Sequence, residues 1–101
     1  MHTHFINYDG QPLAEVVITD PSPATLAIVE MVEFWSGGEW ALHRAAGDYE
    51  KAFCSVLAMF LLTQRREPKD DEGWLPLDGT HGIQLQKYYH YDFDEDLIEI
   101  S

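Results

Sequence analysis

Basic residues are scarce in this chain: six Lys and Arg stand against eighteen Asp and Glu, a formal charge of −12 over 101 residues. Binding DNA or RNA depends on neutralising phosphates with Lys and Arg, so nucleic acid is excluded as a direct partner. Anionic membrane surfaces are disfavoured for the same reason. Cysteine is scarcer still. Cys54 stands alone, so no disulfide can form within the chain, and a cytoplasmic location is expected. Long apolar runs are missing: the longest, 52–62, is interrupted by Ser55 and is far shorter than the roughly 20 residues of a membrane span. The first twenty residues have neither a base nor a long apolar run, so no secretory signal is expected.

What is present is acid, and it is concentrated. From Asp70 to the end, nine carboxylates accompany one base, Lys87. A field of that sign repels polyanions and attracts basic surfaces. The apolar fraction of 46% is nevertheless ordinary for a globular chain and too high for disorder. The length suits one domain, 1–101, with one modest core.

Periodicity supplies the elements. Residues 3–9 and 13–19 read as strands, Val16, Val17 and Ile18 being β-branched. Asp9-Gly10 between them predicts a two-residue hairpin turn, because Gly accepts the positive φ that a type I′ turn requires. Ser22-Pro23 opens a helix that carries Ile28, Met31, Val32 and Trp35 at helical spacing and stops at Gly37-Gly38. A short helix over 39–46 follows. Asp48 then caps a long one over 49–66, with Tyr49, Phe53, Val56, Leu57 and Phe60 on one stripe and Arg65 and Arg66 in its last turn. Residues 69–80 form a loop held by Trp74. Residues 82–91 read as a strand with Leu85, Lys87, Tyr89 and Tyr91 on one face and Gln86, Tyr88 and His90 on the other. A turn at 94–96 leads to a last strand, 97–100. The expected fold class is α+β: a β-β-α-α-α-β-β two-layer domain, with an antiparallel sheet of about four strands and helices on one face.

Candidate chemistry is thin. Asp92, Asp94 and Asp96 resemble the start of a calcium loop, but Leu97 stands where the sixth-position Gly belongs. His2 and His4 alternate on one strand face, as two metal ligands would, and Glu39 and His43 share a helical face. No HExxH and no CxxC accompanies them, so surface hydrogen bonding accounts for them and neither a metal nor a cofactor is expected. Cys54 with His43 has the types of a nucleophile and its base. Its place inside an apolar helix is that of a structural thiol. No catalytic residue is assigned. Trp40 and Trp74 lie beside loops and either could anchor a partner; closing the ends of a small core is the plainer reading of both.

Two stretches carry a resemblance. Glu33-Phe34-Trp35-Ser36-Gly37, with Glu39 and Trp40, precedes the long apolar helix; Glu72-Gly73-Trp74-Leu75-Pro76-Leu77-Asp78-Gly79 precedes Gly82-Ile83. With the acidic end, they resemble a small uncharacterised bacterial family found in phages, plasmids and genomic islands, over roughly residues 14–101. The resemblance implies a setting in mobile elements and no activity. Small acidic proteins of that setting often act by binding host or rival proteins, so a non-enzymatic interaction protein is expected, with an anti-defence, anti-CRISPR-like inhibitor as one form. Its partner would be a protein with a basic surface. The contact residues would be Asp92, Asp94, Glu95 and Asp96 with Tyr88, Tyr91, Trp74 and Trp40. The alternatives are a homodimer or larger homo-oligomer, and a small metal-dependent enzyme built on His43 and Glu39 or on the Asp92 cluster.

Overall fold

Asp9-Gly10 sets the sheet. Both residues take positive φ, 50° and 77°, as a type I′ turn demands, and the two-residue loop pairs Tyr8 with Gln11. In a computed structural model that describes residues 1–19 and 39–89, β1 (His2–Tyr8) and β2 (Gln11–Ile18) form this antiparallel hairpin. A third strand, β3 (Ile83–Tyr88), pairs antiparallel with the other side of β2, so β2 is central.

Two α-helices lie among the described residues: α1 (Glu39–Ala45) and α2 (Tyr49–Gln64), which pack on each other. Asp48 caps α2 as expected, its Oδ1 accepting the Lys51 N–H at 3.1 Å. The helix ends earlier than the sequence suggests. Arg65 adopts a left-handed conformation and its N–H returns to the Leu61 carbonyl at 3.0 Å, which terminates the helix and leaves Arg66 outside its last turn. A single 3-10 turn over Asp70–Glu72 follows.

The architecture is α+β, with a three-stranded antiparallel sheet and two α-helices among the described residues in place of the four strands and three helices expected. The expected first helix, up to Gly37-Gly38, and the last strand, 97–100, lie outside the described residues.

The core forms where α2 covers one face of the sheet. Phe53, Val56, Leu57, Phe60 and Leu61 meet Ile6, Leu13, Ala14, Val16, Ile18 and Ile83, all buried. Two irregularities tune this face. Between Ile6 and Asn7 the pairing shifts, so Leu13 is an extra residue on β2 and both Leu13 and Ala14 are buried. A second shift leaves Gln86 unopposed on β3. Strict alternation in β3 is therefore corrected: Leu85, opposite Val16, and Tyr88, opposite Ala14, both turn to the helix, and Lys87 pairs with Glu15 at 3.7 Å on the other face.

Trp74 belongs to this core. It is buried, edge-on to Phe53 and Phe60 with ring centroids 6.2 and 5.0 Å away, an arrangement that aromatic quadrupoles favour. It pins the chain between α2 and β3, and beyond it Leu77 and Asp78 run back along Gln84 and Leu85, turning at Gly79 with φ 93°.

Two stability changes follow. Trp74→Ala should lower unfolding free energy by about 3–5 kcal/mol, measured by urea denaturation. Gly10→Ala should cost about 1 kcal/mol. A Cβ there meets nothing within 4 Å, so the loss is purely conformational and leaves the denaturant slope unchanged.

Candidate functional site

The apolar stripes of β1 and α2 both turn polar at the same end of the domain. On β1 the helix-facing positions run Ile6, His4, His2, opposite Ala14, Val16 and Ile18. On α2, Glu50 stands three residues before Phe53 and seven before Leu57, at the N-terminal end of the buried stripe. The stripes meet, and so do these three side chains. His2 Nδ1 lies 2.9 Å from Glu50 Oε2 and 3.0 Å from Oε1, and His4 Nε2 lies 2.9 Å from Oε1. A carboxylate only accepts, so both rings donate to it. The rings stand edge-to-face with centroids 6.5 Å apart.

Glu50 and His4 are mostly buried, while His2 is open to water, with 58% of its side chain exposed. Burial works to raise the Glu50 pKa. The hydrogen bonds from His4 and His2, with the charges of those rings, outweigh it and hold the carboxyl below its ordinary value. A shallow recess lined by Ala46, Gly47, Asp48, Tyr49 and Glu50 opens beside the cluster.

Cys54 follows Glu50 by one helical turn and is buried. Burial pushes its thiol up to about 12, helped by the negative charges of Glu50 and Asp48. A thiol so raised is protonated at neutral pH, the form that is a poor nucleophile.

Asp92, Asp94, Glu95, Asp96 and Tyr91 lie outside the described residues, and so does the side chain of Trp40. Trp74 is core. Tyr88 is half-buried, its hydroxyl donating to the Leu61 carbonyl at 3.3 Å, which helps satisfy the open end of α2.

A second polar region closes the loop after α2. Arg66 forks onto Glu72, Nη1 to Oε1 at 2.6 Å, and its guanidinium stands 5.3 Å from the Phe60 ring centre. Glu72 also accepts the Lys69 N–H at 3.0 Å. Next to it a recess is lined by three acidic residues, Glu67, Asp70 and Asp78, with Pro68, Pro76, Leu77 and Leu85. No ion pair engages these three carboxylates among the described residues, whereas Lys51, Arg66 and Lys87 are each paired with an acid.

Compared with known proteins, the chain matches no family model, no curated protein and no solved structure. No described helix is long and apolar enough to cross a membrane.

The Arg66 hydrogen bonds hold Glu72 down at about 2, against an ordinary value of 4.5. A carboxyl lowered in this way adds stability above its ordinary value and loses it as pH falls toward the folded one. The 69–74 turn should therefore loosen between about pH 4.5 and 2. Tryptophan fluorescence followed through acid titration should show a transition in that window, and Glu72→Gln should remove it.

Proposed function

We propose that this chain is a non-enzymatic interaction protein whose negative surface docks on a basic protein, with nucleic-acid-binding surfaces of host or rival proteins as the class of target. The observation that carries the reading is the recess lined by Glu67, Asp70 and Asp78 together with Pro68, Pro76, Leu77 and Leu85. A Lys or Arg side chain has the complementary make-up, an aliphatic stem under a cationic head. The net charge of −12 supports it, because a field of one sign steers a basic partner into encounter. The sequence continues that charge through Asp92, Asp94, Glu95 and Asp96. The family resemblance, with its setting in mobile elements, points the same way and makes an anti-defence inhibitor, anti-CRISPR-like in kind, the specific form of the reading.

A homodimer is the second reading. Among the described residues β1 has a neighbour on one side only, and Phe5 on its outer face is 67% exposed. Edge strands with exposed apolar side chains pair readily with a second copy.

Affinity capture from host lysate tests the first reading. Proteins held by the parent chain should be basic and should elute as salt is raised. Asp92→Asn, Asp94→Asn, Glu95→Gln and Asp96→Asn together, or Glu67→Gln, Asp70→Asn and Asp78→Asn together, should release them. Capture that survives both sets sinks the proposal. A dimeric mass by light scattering, lost on Phe5→Lys, would favour the second reading instead.

A further inference from the structure

Polar residues at core-facing positions need a reason. Alternation along β1 and the stripe of α2 both call for apolar side chains where His2, His4 and Glu50 stand. We infer that these three form a site for one transition-metal ion of the zinc type, independent of the docking surface proposed above.

The donor set is the first argument. Two imidazole nitrogens and one carboxylate suit zinc, cobalt, nickel and copper. They are too few and too nitrogen-rich for calcium or magnesium, which take six or more oxygens. The spacing is the second. The three donor groups all lie within 4.8 Å of one another. Two donors each about 2.0–2.1 Å from zinc at a tetrahedral angle lie about 3.3 Å apart. The His2–Glu50 and His4–Glu50 distances, both 2.9 Å, are already close to that. The two imidazoles need to approach by at most about 1.5 Å, and the exposed ring of His2 has room to turn. An ion at the centre replaces the two ring hydrogens that now bridge to Glu50; the bridging proton of each ring exchanges with solvent, leaving as ligand a neutral imidazole whose one hydrogen sits on the other nitrogen.

The surroundings are the third argument. Asp48 adds a second carboxylate two residues from Glu50, and its neighbour Lys51 only approaches it at 3.8 Å. The local field favours a cation, as does the charge of the whole chain. Three protein donors leave a fourth position for water, which the recess at the start of α2 can supply. The ion would tie the edge strand to the helix across 46 residues of sequence.

Untagged protein, stripped with chelator and dialysed, provides the test. Zinc titrated by calorimetry should bind once per chain, and cobalt(II) should give the visible absorption of a tetrahedral site. Zinc at about a hundred times its dissociation constant should raise the melting temperature by about 10–20 °C, and calcium or magnesium should not. His2→Ala removes an exposed ring and should keep the fold, checked by circular dichroism; it and His4→Gln should each weaken zinc at least about tenfold. Substoichiometric zinc with no melting shift would show a hydrogen-bonded cluster without a metal role. Unchanged affinity in the double variant His2→Ala/His4→Gln would place any ion elsewhere and overturn the assignment.

Discussion

Everything described in this structure depends on α2 covering one face of a three-stranded sheet. The sheet is too small to bury itself, and α2 supplies Phe53, Val56, Leu57, Phe60 and Leu61 to close it. That single contact orients both ends of the helix. At its start Glu50 is carried to the histidines of β1. At its end the Leu61 carbonyl receives the Arg65 N–H and the Tyr88 hydroxyl, so the turn out of the helix is anchored to β3.

The two polar regions differ in kind because they sit at opposite ends of that helix. The loop beyond α2 is held by a relay of ordinary forces. Glu72 holds Arg66, Arg66 lies against Phe60, and Phe60 and Phe53 hold Trp74. Its outer carboxylates are exposed and, Asp78 included although Thr80 donates to it, give the surface its sign. The start of α2 instead gathers two imidazole nitrogens and a carboxylate around one point. There the carboxylate is held ionised by hydrogen bonds that work against its burial, the condition under which a carboxylate serves as a ligand or hydrogen-bond acceptor rather than an acid.

This contrast explains which parts of the candidate site could be read beforehand. The acidic surface is a matter of composition, so it was plain from the chain: Asp70 lies in a run of three acids and needs no fold to be negative. The parity of His2 and His4 was plain too, since strand residues two apart share a face. Their partner was not. Glu50 is 46 residues from His4, and its one nearby signal, a carboxylate three before Phe53 and four before Cys54 on a buried stripe, reads equally as a helix-start acid favoured by the dipole. Trp74 shows the reverse case. Its setting beside a loop left open whether it holds that loop or a partner, and packing against Phe53 and Phe60 makes it the anchor of the loop.

The sequence by itself determined the local events, because each rests on one or two residues: the Asp9-Gly10 turn, the Asp48 cap, the apolar stripe of α2 and the sign of the surface. Tertiary structure decided what those elements present to one another. The bulge at Leu13 chose which side of β1 meets the helix, turning His2 and His4 inward and Phe5 out, and the bulge at Gln86 put Leu85 and Tyr88 on the same side. An extra residue in a ladder reverses every side chain beyond it, and alternation read along one strand carries no mark of where the neighbouring strand will require it.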